Sequence, residues 1–326
     1  MIDWKPFVAL VKDSRTFILT SHMRPDCDAI GSELAMAHAL RSLGKEVRIV
    51  NGDGVPPHIA FIDPDHDVKV LGRDVSASDL KCDVHIVLDT SAWGQLGPLA
   101  DVIRHTSARK VVIDHHVSED DLGAITFKDT NAEATGRLVL EASDALGVTT
   151  TPAMAAAMFA AIATDTGWFR FNSVTASTFA VIARLVASGA QPSKIFAALY
   201  ETNSMERLLL QGRILTNTKS DLGGLLLTSS VSLADFEETA AEQTDTEDII
   251  NRLLAVAGVQ VAVLFVELTP VETKVSLRSR SAFDVSAIAE EFHGGGHRAA
   301  AGIRFPGPIA FAENEVLTAV RKAMTN

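Results

Sequence analysis

The stretch Thr16-Phe17-Ile18-Leu19-Thr20-Ser21-His22-Met23-Arg24-Pro25-Asp26-Cys27-Asp28-Ala29-Ile30-Gly31-Ser32 decides how this chain is read. An apolar, β-prone run ends at Thr20, and one histidine and two aspartates then fall within seven residues. From Ala29 to Leu43 the apolar positions Ile30, Leu34, Ala37 and Leu40 recur three or four apart. That period predicts an amphipathic helix, with Gly44 as its stop. The acidic cluster therefore sits at a strand-to-helix turn. Carboxylates are costly to desolvate, and a divalent cation is the simplest group that would compensate them there.

The same arrangement recurs along the first half. Val47-Arg48-Ile49-Val50 reads as a strand, and Val84-His85-Ile86-Val87-Leu88-Asp89 and Lys110-Val111-Val112-Ile113-Asp114 are short apolar runs that each end in aspartate. Strands alternating with helical segments predict an α/β fold with a mainly parallel sheet flanked by helices on both faces. Sites in such sheets lie beyond the carboxyl ends of the strands, where His22, Asp26, Asp89, Asp114 and His115 would meet. Pro152 to Thr164 reads as a buried alanine-rich helix that runs into Asp165, either a solvated cap or a further ligand. A helix over Thr175 to Ser188 stops at Gly189, and Ser193 to about Asn217 reads as a helix with a charged face.

The last hundred residues predict a smaller α+β unit: strands at Leu225–Val231, Gln260–Leu268, Lys274–Arg280 and Ala301–Phe305, with helices over Asp245–Ala257 and Val285–Glu291. The expected organisation is a catalytic domain over 1–190, a helical connector over 191–220 and a substrate-binding domain over 221–326.

Composition narrows the function classes. At 326 residues two domains are the better expectation. Hydrophobic residues make up 47% and charged residues 21%, ordinary for a globular protein. No run approaches the roughly 18 apolar residues of a membrane span. The start, Met1-Ile2-Asp3-Trp4-Lys5-Pro6, lacks the apolar core of a signal peptide, so a cytoplasmic location is expected. Cys27 and Cys82 are too few for a disulfide framework. Cys27 reads as a small residue fitting a tight backbone path. A net charge of −12 argues against gripping long nucleic acid, while a short phosphorylated ligand stays compatible with it.

Asp26 and Asp28, two apart in a turn, can point to different sides and serve two cations, with Asp89 bridging them. Two-metal hydrolytic sites hold their ions about 3.5–4 Å apart. Carboxylate and imidazole donors without thiolate suit manganese, magnesium or cobalt better than structural zinc. Neighbours on an extended chain point opposite ways, so of His115 and His116 only one is expected to face the metals, the other reaching a bound phosphate. His38, His58, His66, His85 and His105 have no motif around them and read as surface or packing residues. Gly294-Gly295-Gly296-His297, with Arg278, Arg280 and Arg298, reads equally as an anion nest or as a hinge or tight turn. Trp168 and Phe169 either pack in the core or stack on a base.

Together these segments resemble the DHH phosphoesterase superfamily, in the subgroup with a DHH-associated carboxyl-terminal domain. The resemblance rests on His22-x-x-x-Asp26-x-Asp28, Asp89, Asp114-His115-His116 and Asp165 within Thr164-Asp165-Thr166-Gly167. It extends to Ser276-Leu277-Arg278-Ser279 and to Gly294-Gly295-Gly296-His297 before Ala300-Ala301-Gly302. One departure is visible: the family often shows four glycines before that histidine, and here His293 takes the first place. The resemblance implies a pair of divalent cations, usually manganese. His22, Asp26 and Asp89 would hold one, and Asp28, Asp89, His115 and Asp165 the other. His116 would contact the reacting phosphate and Asp114 would support the site. Arg278, Ser279, Gly294, Gly295, Gly296 and His297 would hold the rest of the substrate. The compact length implies the oligoribonuclease branch, in which metal-activated water cleaves very short RNA, linear dinucleotides and 3′-phosphoadenosine 5′-phosphate, commonly in a homodimer. The alternatives are an inorganic pyrophosphatase, a cyclic-dinucleotide phosphodiesterase and, disfavoured because every ligand position is filled, a non-catalytic nucleotide sensor.

Overall fold

The computed structural model describes residues 2–280 and 283–325, so the outer bounds of the expected domains, 1 and 326, lie outside it. The chain divides into two compact units, one up to Thr202 and one from Asn203. The first comprises α1 (Lys5–Lys12), β1 (Thr16–Thr20), α2 (Cys27–Ser42), β2 (Glu46–Asn51), β3 (Val68–Val70), β4 (Val84–Leu88), α3 (Leu99–His105), β5 (Arg109–Asp114), β6 (Ile125–Lys128), α4 (Thr135–Ala145), α5 (Pro152–Asp165), α6 (Ala176–Ala187) and α7 (Pro192–Tyr200).

Its six strands pair in the order β3-β2-β1-β4-β5-β6, and each pairing is parallel. Side-chain alternation builds a core on either face. Phe17, Leu19, Ile86, Leu88, Val111 and Ile113 join α1, α2, α4 and α5 on one side, whereas Ile18, Val87 and Val112 meet Leu99 and Ile103 of α3 on the other. The strand order reverses direction between β1 and β4, which opens a crevice at their carboxyl ends.

α2 differs from the expected amphipathic helix. It is buried on nearly every side, because α5 covers the face that would otherwise meet water. Gly31 permits this: a Cβ there would lie 2.5 Å from the Ala157 carbonyl oxygen. The stretch expected as one helix from Ser193 to Asn217 is two helices, with a break over 201–204.

The second unit runs α8 (Met205–Thr216), β7 (Lys219–Asp221), β8 (Leu226–Val231), α9 (Leu233–Thr239), α10 (Ile250–Leu254), β9 (Val261–Thr269), β10 (Glu272–Ser279), α11 (Val285–Glu291), β11 (Gly295–His297), β12 (Ala300–Phe305) and α12 (Ile309–Thr325). Its sheet order is β11-β12-β10-β9-β8-β7, antiparallel except for β8 with β9. The helix expected over Asp245–Ala257 reduces to a 3-10 turn, Gln243–Thr246, and the five-residue α10. Between them Asp248 takes a φ of +65°, which interrupts any continuous helix. Among the described residues no helix is long and apolar enough to cross a membrane.

Candidate metal centre

The turn from β1 into α2 sets the first groups. The His22 Nδ1 lies 2.9 Å from the Met23 carbonyl oxygen. A carbonyl only accepts, so Nδ1 carries the proton and Nε2 is left with its lone pair. Asp26 is the N-cap of α2, its Oδ1 accepting from the Asp28 and Ala29 amides. Two residues on, in the first turn of α2, Asp28 is buried and caps a different helix. Its Oδ2 accepts from the Thr135 amide at 2.7 Å and its Oδ1 from the Gly136 amide at 2.8 Å. α4 has Ala134 at its own cap position, with no side chain to bond the orphan amides of its first turn. The carboxylate that satisfies them comes from more than a hundred residues away in sequence.

Asp89 leaves β4 with a φ of +64°. An aspartate tolerates this left-handed backbone better than most residues, and such strain concentrates at functional sites. The turn presents its two oxygens in different directions. Oδ2 lies 3.4 Å from His22 Nε2, while Oδ1 lies 3.7 Å from His115 Nε2 and accepts from the Thr135 hydroxyl at 2.8 Å. His115 in turn donates Nδ1–H to the Ala132 carbonyl at 3.1 Å. Its Nε2 is buried without a hydrogen-bond partner, 3.4 Å from Asp165 Oδ2 and 3.8 Å from Asp28 Oδ2. Ligand atoms within 4.8 Å of one another thus form the sets His22, Asp26, Asp89; Asp28, His115, Asp165; and Asp89, His115, His116.

These residues fit a divalent cation on their own chemistry. Burial first, then the neighbouring carboxylates, pushes Asp28 well above the usual carboxylate range. Burial likewise raises Asp89, with Asp26 and Asp165 adding to it. Asp165 is raised by burial and by Asp26, against the His115 charge. Three carboxylates that resist ionisation surround a buried imidazole nitrogen with nothing to bond. A cation would answer both. The donors are oxygen and imidazole nitrogen, without thiolate. Cys27, between the two aspartates, is buried, and burial pushes its thiol up to about 12.

Asp114 and His116 form a separate pair. The buried Asp114 Oδ1 accepts from the His116 amide at 3.0 Å and from its Nδ1 at 2.9 Å, and Oδ2 accepts from the Ser91 hydroxyl at 2.6 Å. Burial disfavours the Asp114 anion, but the bonds from His116 and Ser91 outweigh it and hold the carboxyl at about 2. The Asp114 hydrogen bond raises the His116 imidazole. His115 and His116 do not simply face opposite ways. Both follow the end of β5, where strand alternation no longer applies; their rings lie 4.5 Å apart, and His116 Nδ1 is 3.7 Å from Asp89 Oδ1.

In the second unit, Arg278 lies on β10 with a half-buried side chain whose Nη1 reaches its neighbour's carbonyl, Leu277 O, at 3.0 Å. The buried Ser279 hydroxyl donates to the Phe283 carbonyl at 2.7 Å, with the Arg298 carbonyl at 3.3 Å. Gly295, Gly296 and His297 pair with Gly302, Ala301 and Ala300 as an edge strand, which leads straight into a tight turn at Arg298 and Ala299. A Cβ on Gly294 would lie 2.3 Å from the Gly302 oxygen and one on Gly296 2.4 Å from the Ala300 oxygen, so close backbone approach requires glycine there. His293 has a φ of +60°, the conformation a glycine would adopt without strain. His297 is exposed.

Several contributors carry no signal in the sequence. Thr135 and Gly136 act through backbone amides and one hydroxyl. Ser91 and Lys128 bracket Asp114, and Glu33 and Asn51 lie buried behind the β1–α2 turn. His85 is a packing residue, hydrogen-bonded to Thr20 and held neutral by burial, down to about 4. Trp168 and Phe169 pack against the core in edge-on contacts with Phe159.

A doubly wound sheet with adjoining carboxylate–imidazole clusters at its switch point fits the class of metal-dependent hydrolases. Within that class the chain belongs to the DHH family: the model of the DHH family N-terminal domain matches residues 16–162, and the DHHA1 domain matches 226–326. The chain is 31% identical over 309 residues, 94% of its length and 90% of the relative's, to the bifunctional oligoribonuclease and PAP phosphatase NrnA of Thermus thermophilus. It is 28% identical over 97% of its length and 96% of the relative's to the probable bifunctional oligoribonuclease and PAP phosphatase NrnA of Streptococcus mutans. The solved structure of an exopolyphosphatase-related protein from Bacteroides fragilis superposes with a TM-score of 0.85 at 27% identity, covering 99% of this chain and 95% of that one.

Proposed function

We propose that this chain hydrolyses phosphoester bonds in RNA of a few nucleotides and in 3′-phosphoadenosine 5′-phosphate. The observation that carries the reading is Asp89, whose two oxygens face separate His/Asp clusters at the switch point of the sheet. Full-length relatives with both activities in their names support the substrate class. His22, Asp26 and Asp89 would hold one divalent cation, and Asp28, Asp89, His115 and Asp165 a second; manganese is the ion we assign. Bound cations supply an acidified water and offset charge on the phosphoryl oxygens. The protein does the rest. The Met23 and Ala132 carbonyls fix His22 and His115 with Nε2 facing the site. The α4 amides hold Asp28. His116, its Nδ1–H held by Asp114, offers Nε2 to the reacting phosphate. Arg278 and His297 contact the remainder of the substrate, as does the backbone of Gly294, Gly295 and Gly296.

A turnover series in added manganese tests this, covering di- to pentaribonucleotides, 3′-phosphoadenosine 5′-phosphate, linear and cyclic dinucleotides, and pyrophosphate. Short RNA and the bisphosphate should be cleaved fastest. Cleavage of pyrophosphate alone would refute the assignment. Asp89→Ala should abolish hydrolysis, and retained turnover would reject the bridging role. Arg278→Ala should raise KM for phosphorylated dinucleotides more than it lowers kcat; an unchanged KM would remove it from the substrate site.

We also assign a homodimer. Phe171, Phe179, Phe196 and Tyr200 are exposed on the first unit, and ring contacts through Trp168 and Phe169 join most of them into one apolar patch. Light scattering at micromolar concentration should give twice the chain mass. With two free cysteines and substrates of this kind, the cytoplasm is the compartment we propose.

A further inference from the structure

Lys128 ends β6 directly beside Asp114, its register partner on β5. Its side chain is only 9% exposed. An ammonium group withdrawn this far from water needs partners, and it has three. Nζ lies 2.6 Å from the Ser91 hydroxyl, 2.7 Å from the Ser118 carbonyl and 3.3 Å from Asp114 Oδ2; Glu119 Oε2 is further out at 3.7 Å.

Donor and acceptor chemistry gives this cluster one consistent direction. Lysine only donates, so Ser91 accepts from it and keeps one proton to give. The Ser91 oxygen lies 2.8 Å from the Ser118 carbonyl, which Lys128 already serves, and 2.6 Å from Asp114 Oδ2. The shorter, charge-assisted bond to the carboxylate takes the proton. Asp114 Oδ2 is then engaged by Ser91 and Lys128, which leaves Oδ1 to receive the His116 amide and Nδ1–H.

We propose that Lys128, acting through Ser91 and Asp114, is a positioning residue for His116. It locks the Asp114 carboxylate so that the His116 proton stays on Nδ1 and Nε2 stays turned outward. Lys128 touches neither substrate nor metal ligand in this role. Its effect on turnover rests on the hydrolase reading above; its effect on the imidazole does not.

Two measurements on the full-length protein test it. In dinucleotide turnover with manganese, Lys128→Met should lower kcat by about 10–100-fold, the usual range for groups that orient a catalytic side chain, with KM little changed. In a His116→Gln background the same substitution should cost almost nothing further. An unchanged kcat, or an equal loss in both backgrounds, would overturn the proposal. The second measurement uses ¹⁵N chemical shifts of His116 in the metal-free protein, at a pH where the ring is neutral. The wild type should show the Nδ1–H tautomer and Lys128→Met a shift toward Nε2–H; an identical tautomer in both would overturn it without reference to turnover. Ser91→Ala should reproduce both effects, and decides the matter if Lys128→Met fails to fold. Absence of turnover in the wild type on every substrate would instead refute the hydrolase reading, leaving the tautomer to decide for Lys128.

Discussion

Glu33 sits in the middle of α2 with no exposed surface. Asn51 donates to its Oε2 at 2.8 Å, and Oε1 has no partner. Burial pushes its carboxyl up to about 8. The folded protein therefore holds a proton that the unfolded chain releases near the ordinary value of 4.5. Stability falls as pH rises from that value to about 8. Asp28 and Asp89, also raised by burial, act in the same direction. Glu33→Gln keeps an acceptor for Asn51 and removes one titrating group. Its melting temperature in the metal-free protein should fall less between pH 5 and pH 8 than that of the wild type; parallel profiles would contradict the assignment. At this scale the ionisable groups of the site were legible, because aspartate and histidine recur at the ends of several elements that a parallel sheet brings to one edge. Their partners were not. Thr135 and Gly136 act through amides that every residue but proline has, and α4 carries no cap signal of its own because Asp28 supplies it.

Four of the six parallel strands, β1, β2, β4 and β5, were legible to within a residue or two, since they are short apolar runs; β3 and β6 were not, being three- and four-residue edge strands with exposed positions. The helices were less so. α2 shows a helical period, but that period does not reveal that α5 would cover its polar-looking side. Small residues make the contact: Gly31 faces Ala157 and Ala161, and Gly136 faces Ala161. In Gly31→Ala the new methyl would lie 2.5 Å from a carbonyl oxygen and 3.1 Å from the Ala161 Cβ. α5, which carries Asp165 at its end, must then shift. Urea denaturation should show a loss of about 1–3 kcal/mol, together with weaker manganese binding. Unchanged stability would mean that the two helices have more freedom than their contact implies. The stretch 193–217, which runs from the first unit into the second, and the stretch 245–257 in the second unit each read as a single helix. Each is broken, by an irregular stretch over 201–204 and by the left-handed backbone at Asp248.

For the molecule as a whole, sheet order does what no single motif can. β1 and β4 are far apart in sequence but adjacent in space, and the site groups that follow them meet because the order reverses there. Asp28, His115 and Asp165, from three separate stretches, converge within 4.8 Å. Carboxylates so gathered repel one another and resist ionisation, so a cation that binds only the folded state should stabilise it. Chelator treatment should lower the melting temperature, and added manganese should restore it more at pH 8 than at pH 5, where protons compete for the same oxygens. The most direct test is equilibrium dialysis of the metal-free protein against manganese near neutral pH, with the bound metal counted per chain. A site bridged by Asp89 predicts two ions per chain in the wild type and loss of both in Asp89→Ala. A single ion in the wild type, or two retained in the variant, would contradict it.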